Sequence, residues 1–174
     1  MSPSRGGIMD PKDVGLCALE KAIRIEKDGR RFYLQAAERT NDQRGKEIFL
    51  SLAHEEEEHL RIVEKEYDSL SKGKGWLALA KATGEVDLRS PLFPPGREAL
   101  EKMVRSDDSD LDALLLALGF ENKSYELYRK GYTETDDPQG KAVYEYLADM
   151  EREHFETLMR NYEHLSRTGS WLEG

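Results

Sequence analysis

Ala53-His54-Glu55-Glu56-Glu57-Glu58-His59-Leu60 is the stretch that decides the fold, and Glu151-Arg152-Glu153-His154 near the C-terminus is its twin. Each contains a Glu-x-x-His step. On an α-helix, positions i and i+3 are neighbours on one face, so each step aims one carboxylate and one imidazole at the same point. Two such steps facing each other can hold metal. In a chain that is 35% charged, a single Glu three residues before a His carries little information. The surroundings of the two steps carry the rest.

Around both steps the apolar residues recur with helical spacing. The pattern predicts a first helix from about Asp13, a plausible N-cap, to about Thr40, with a stripe of Leu16, Leu19, Ile23, Tyr33 and Ala37. Glu26 falls inside that stripe. After the turn at Asn41-Asp42-Gln43, a second helix runs to Ser71 with Phe49, Leu52, Val63, Tyr67 and Leu70, and Glu56 and His59 fill the gap in its stripe. The neighbouring acids Glu55, Glu57 and Glu58 rotate away and read as a solvated face.

A third helix is predicted from about Asp108 to Thr133, with Leu111, Leu114, Leu118, Tyr125, Tyr128 and Tyr132, and Glu121 among them. Thr135-Asp136-Asp137-Pro138 turns the chain, with Pro in the first turn of a fourth helix that runs to about Ser166. Its stripe of Tyr144, Leu147, Leu158, Tyr162 and Leu165 is interrupted by Glu151 and His154. Residues 73–107 form a long connection broken by glycines and prolines. A structureless loop of that length is uncommon in a compact domain, so short helical pieces are expected near Trp76–Ala82 and Arg97–Val104.

A shift of 95 residues superposes the two halves without a gap. Leu19 then meets Leu114, Glu26 meets Glu121, Tyr33 meets Tyr128, Gly45 meets Gly140, Glu56 meets Glu151 and His59 meets His154. Even Trp76-Leu77 meets Trp171-Leu172. This is a duplicated helical hairpin, with halves at about 13–77 and 108–172 inside one domain of 12–174. Residues 1–11 read as a flexible tail.

The repeat also fixes depth. Glu26 and Glu56 each lie 15 residues from position 41, the middle of the first turn. At 1.5 Å rise per residue both sit about 22 Å from it, level in the antiparallel pair. Glu121 and Glu151 are level about position 136 in the same way. Packing the two hairpins together brings four Glu and two His into one core layer. Burying like-charged carboxylates without a partner costs several kcal/mol each, so the layer must be protonated, solvated or neutralised. Two divalent cations balance four carboxylates on formal charge, and this donor set is that of the di-iron and di-manganese carboxylate bundles.

Glu26 with Tyr33, Glu56-x-x-His59, Glu121 with Tyr128, and Glu151-x-x-His154 resemble the rubrerythrin branch of the ferritin-like superfamily over nearly the whole chain from about residue 13. The resemblance implies an all-α, up-down-down-up four-helix bundle with a long crossover connection and two iron ions. By that analogy Glu56 and Glu151 bridge the metals, Glu26 and Glu121 are terminal carboxylates, and His59 and His154 supply nitrogen. Tyr33 and Tyr128 are candidates to hydrogen-bond the terminal carboxylates, against the plainer reading of core tyrosines with satisfied hydroxyls. Manganese or zinc also suits the mixed carboxylate and imidazole set.

Two departures from the family pattern stand out. Full-length rubrerythrins carry a rubredoxin-like module with four Cys, whereas this sequence has only Cys17. Electrons are therefore expected from a rubredoxin-type donor in trans. Rubrerythrins also carry an extra Glu one turn after the third-helix ligand, where this chain has Ser124. The remaining set looks like a symmetric ferroxidase centre of the bacterioferritin type.

Composition bounds the alternatives. A net charge of −9 argues against nucleic acid as partner. No apolar run approaches a membrane span, and the first residues lack a secretory h-region, so a cytoplasmic protein is expected. A lone Cys cannot form an internal disulfide and reads as a small apolar filler. His54 and His164 lie off the stripes and read as surface residues, and the two Trp as hairpin-end packing or a dimer contact. A homodimer is the default expectation. Three function classes remain: an oxidoreductase acting on hydrogen peroxide or dioxygen, a ferroxidase or iron-storage protein, and a non-redox metal-binding bundle.

Overall fold

The computed structural model describes residues 11–83 and 109–172. Four long helices dominate: α1 (Pro11–Arg39), α2 (Gln43–Ser71), α4 (Asp110–Glu134) and α5 (Pro138–Thr168), with a five-residue α3 (Leu79–Thr83) between the hairpins. The expected boundaries hold to within two residues. The first helix starts at Pro11 rather than Asp13, because proline fits the first helical turn, where its missing N–H has no partner to lose. Of the two helical pieces expected in the connection, the first is α3, shifted toward the C-terminal end of Trp76–Ala82; the second, at 97–104, lies outside the described residues, as does nearly all of the expected tail.

The turns are built alike. Asp42 caps α2 by accepting from the backbone N–H groups of Arg44 and Gly45 at 2.8 and 3.0 Å. Asp137, its counterpart, caps α5 through Gln139 and Gly140 at 2.8 and 3.3 Å. Such caps each contribute about 1 kcal/mol. Helix α4 opens with a capping box between Ser109 and Asp112, and α5 stops at Gly169, whose left-handed backbone (φ 73°) glycine adopts without strain.

Side-chain pairs fix the topology. Tyr33 meets Glu121 while Tyr128 meets Glu26, so α1 and α4 run antiparallel. His59 meets Glu151 while His154 meets Glu56, so α2 and α5 do too. Together with the two hairpins this is the up-down-down-up, all-α ferritin-like bundle. Its apolar core is in two parts. One holds Phe32, Phe49, Leu52, Leu114, Leu158 and Trp171, the other Leu19, Ile62, Val63, Tyr144 and Leu147. The four Glu and two His lie between them. Each fully buried Leu or Phe on either side contributes about 1.5–3 kcal/mol, which offsets the cost of the polar layer.

The ends of the bundle are locked crosswise. Trp171, which follows α5, packs over Gly45 of α2; a methyl group on Gly45 would lie 2.4 Å from Trp171 Cε2. Trp76, which follows α2, packs over Gly140 of α5, where a methyl would lie 2.8 Å away. The matched spacing of Trp and Gly in the two halves thus serves contacts between halves within one chain, the hairpin-end packing of the two alternatives read from sequence. Cys17 is exposed, not a core filler: it sits one side of the stripe marked by Leu16 and Leu19. His54 and His164 are half-buried rather than fully on the surface.

Candidate metal centre

Each helix delivers its charged residues to the layer by the periodicity that placed them in the apolar stripe. Glu26 comes from α1, Glu56 and His59 from α2, Glu121 from α4, and Glu151 and His154 from α5. All six are buried, none more than 3% exposed.

Their distances sort them. Glu56 reaches both imidazoles, with carboxylate oxygens 3.7 Å from His59 Nδ1 and 3.4 Å from His154 Nδ1. Glu151 does the same at 3.0 and 3.7 Å. Glu26 approaches only His59, at 3.7 Å, and Glu121 only His154, at 3.5 Å. The two rings stack with centroids 5.2 Å apart. Ligand atoms of Glu56, His59, Glu151 and His154 lie within 4.8 Å of one another, a compact four-residue group able to hold a metal ion.

Among the described residues, buried atoms without a hydrogen-bond partner are concentrated here. They include Nδ1 of both histidines, both oxygens of Glu151, and Oε2 of Glu26 and Glu121. A buried donor or acceptor left without a partner costs about 1–3 kcal/mol. Six in one layer fit a site whose remaining bonds go to cations. The donor set of carboxylate and imidazole suits iron, manganese or zinc.

The outer oxygens of the two single-imidazole carboxylates are held across the bundle. The hydroxyl of Tyr33 on α1 donates to Glu121 on α4, and that of Tyr128 on α4 donates to Glu26 on α1. Each hairpin's tyrosine therefore orients the other hairpin's glutamate. Burial, and then the facing carboxylate's charge, push both tyrosine hydroxyls well above their ordinary range, so they stay protonated donors.

The electrostatics follow from crowding. Burial and then the charge of Glu56 raise the Glu26 carboxyl to about 8. Burial, with Glu56 and Glu26 adding to it, pushes Glu151 well above the carboxylate range. For Glu56 burial acts upward but is outweighed by the close approach of Glu26 and of both imidazoles, which holds it low. Burial opposes a charged His59, yet the Glu151 charge beside it wins and raises its pKa. At His154 burial is likewise outweighed, by the approach of Glu121, the bond with Glu55 and the approach of Glu56, to about 12. Protons and divalent cations therefore compete for the same atoms, and metal uptake releases protons.

One contributor escaped the sequence reading. Glu55 is not merely a solvated acid: its Oε2 lies 3.0 Å from His154 Nε2, on the side away from the cluster. Ser51 donates to its other oxygen at 3.1 Å, and the His154 bond, partly opposed by burial, lowers the Glu55 pKa. Adjacency to Glu56 places Glu55 on the flank of α2, but only the spacing of α2 and α5 shows that it spans the gap. Glu57 and Glu58 do stay on that flank, paired with Arg30 and Arg61. His54 and His164 do not join the cluster.

The rubrerythrin family profile matches residues 18–162. The chain belongs to the rubrerythrin family. Among solved structures it is similar to a hypothetical protein from Pyrococcus furiosus, at 29% identity over 86% of this chain and 89% of that one, with a TM-score of 0.64. None of the curated proteins matches the chain. Within this rubrerythrin-family bundle lies a buried Glu and His cluster that could bind metal; Ser124, buried one turn beyond Glu121, adds no carboxylate to it. No described helix is long and apolar enough to cross a membrane.

Proposed function

We propose that the protein is a non-haem di-iron oxidoreductase of rubrerythrin type, which reduces hydrogen peroxide, or dioxygen, with electrons from a separate donor protein in the defence against oxidants. The single observation that carries this reading is the split of the four carboxylates by distance. Glu56 and Glu151 each face both imidazoles, which suits bridging carboxylates, while Glu26 and Glu121 each face one, which suits terminal ligands. His59 and His154 supply one nitrogen to each half.

Bound iron would supply one electron per ion, so that hydrogen peroxide with two protons yields two waters and the donor later restores the two electrons. The protein's part is to hold geometry and charge. Tyr33 and Tyr128 fix the terminal carboxylates by hydrogen bonds, and the two apolar layers enclose the ligands from either end of the bundle. No side chain in the layer is needed as a nucleophile.

Ser124 supports a second reading. With four Glu, two His and no extra carboxylate beside Glu121, the set is symmetric, and that favours ferroxidase chemistry, in which ferrous ion is the substrate. One experiment separates the two. Anaerobic protein loaded with two ferrous ions per chain is mixed with hydrogen peroxide or with dioxygen in a stopped-flow instrument, and ferric absorbance is followed. Faster oxidation by peroxide, reversible by a rubredoxin-type donor, is expected. Equal or faster oxidation by dioxygen selects the ferroxidase. Rates no greater than those of free ferrous ion with either oxidant would sink both.

A further inference from the structure

The two-fold symmetry relating the hairpins fails on the outer flank of the ligand layer. Between α1 and α2 two ion pairs span that flank. Arg30 Nη2 lies 3.3 Å from Glu57 Oε2, and Lys27 Nζ lies 3.0 Å from Glu64 Oε1. Carried 95 residues along, Arg30 and Glu57 become Tyr125 and Arg152, and Lys27 and Glu64 become Asn122 and Met159. Neither replacement couple can form an ion pair.

Where those pairs are missing, the α4–α5 flank holds a cavity of about 260 Å³, lined by Glu121, Asn122, Tyr125, Glu151, Arg152 and Phe155. Asn122 and Arg152 are exposed, Tyr125 and Phe155 half-buried, and Glu121 and Glu151 buried. The lining thus runs from solvent through two aromatic walls to two carboxylates of the candidate centre. At about 30 Å³ per water-sized molecule, it has room for several.

We propose that this gap is the route by which a small uncharged molecule reaches the carboxylate layer, and that the Arg30–Glu57 and Lys27–Glu64 pairs keep the opposite flank shut. In naming the α4–α5 flank as the oxidant's entrance, the inference rests on the redox reading above. Its selectivity follows from the lining. The walls of Tyr125 and Phe155 give a hydrated ion nothing in exchange for its water, and stripping an ion costs several kcal/mol. Hydrogen peroxide and dioxygen, small and neutral, meet no such barrier.

The test copies the closed flank onto the open one, with Tyr125→Arg and Arg152→Glu in the same chain. Crystals of the wild-type and doubly substituted proteins are pressurised with xenon, an uncharged atom that reports access without turnover. Xenon density between Tyr125 and Phe155 in the wild type, and none in the double variant, is expected. No density in the wild type, or equal density in both, would overturn the inference. The stopped-flow comparison is run in parallel, with uptake of two manganese ions per chain as the check on the site. A fall in peroxide rate of about tenfold or more, equivalent to about 1.4 kcal/mol, at unchanged manganese affinity is expected. An unchanged rate would exclude the route while leaving the redox reading intact. If the wild type itself fails to react, the redox reading falls and the xenon result alone judges the cavity. Should the double variant lose its helical spectrum, Phe155→Trp narrows the same passage without new charge and is judged by the same outcomes.

Discussion

The ligand layer and the shell around it obey different rules. Within the layer the two hairpins are interchangeable: Glu26 and Glu121, Glu56 and Glu151, and His59 and His154 occupy equivalent places and are crossed by equivalent tyrosines. Outside it they diverge. Glu55 holds the outer nitrogen of His154, while the equivalent position beside His59 is Met150, which offers no carboxylate. Glu66, buried on α2, accepts from the backbone N–H of Leu77 at 3.0 Å, while its equivalent Asn161 donates to the carbonyl of Thr157 at 2.9 Å. Six facing donors leave little freedom in the layer itself, so the two halves differ in the shell instead.

The largest effect expected is the one that would break the equivalence inside the layer. Glu151→Ala removes the carboxylate that faces both imidazoles and should abolish binding of both ions. Glu26→Ala, which faces only His59, should leave one. Calorimetric titration with manganese reads the stoichiometry directly; equal losses in the two variants would contradict the division into shared and single carboxylates. Next in size is Glu55→Gln. An outer partner of a metal-binding imidazole is typically worth 10–100-fold in affinity, so one of the two ions should weaken by about that factor and the other hold. Met150→Glu, which restores the missing partner at His59, should draw the two affinities together.

The shell can be probed without metal. Gly45→Ala and Gly140→Ala put a methyl against Trp171 and Trp76, at 2.4 and 2.8 Å. Trp171 is only 4% exposed and its indole donates to Asp110 at 2.9 Å, so it has little room to yield, whereas Trp76 is half-buried. Overpacking costs about 1–3 kcal/mol, against a helix-propensity gain of about 1 kcal/mol for Gly→Ala. Gly45→Ala should therefore lower the melting temperature clearly and Gly140→Ala hardly at all.

The smallest effect belongs to Glu66. Burial first, with Asp137's charge adding to it and the Leu77 bond opposing, raises its carboxyl to about 7. The folded state thus holds a proton between pH 4.5 and about 7 that the unfolded chain has released, and stability falls as pH rises through that window. Glu66→Gln keeps the acceptor and discards the charge. It should be neutral near pH 5 and stabilise by roughly 1 kcal/mol at pH 8, as read by chemical denaturation at the two values. A constant difference across the range would show that Glu66 does not titrate there.

Much of this is legible in the sequence. Glu26, Glu121 and the two Glu-x-x-His steps stood out because each interrupts an apolar stripe, and interruption of a 3.6-residue period is a one-dimensional signal. The register of the four helices followed from the equal distances of the glutamates from their turns. Glu55 was not legible, because an acid beside an acid in a charged run looks solvated until the separation of α2 and α5 is known. Glu66 was hidden for a related reason: only the path of the chain through Leu77 after α2 takes it out of solvent. Cys17 misled, since its small size says nothing about which side of α1 it occupies.

The crosswise seating of Trp171 on Gly45 and Trp76 on Gly140 also bears on ancestry. A single hairpin of this kind presents a bare glycine notch and a tryptophan with nowhere of its own to lie, and it carries half of a two-ion site. Two copies cure each other's defects. The duplicated sequence thus joins covalently two units that fit as a pair, each closing the other's end. The separated halves, 11–77 and 109–172, should still find one another when mixed.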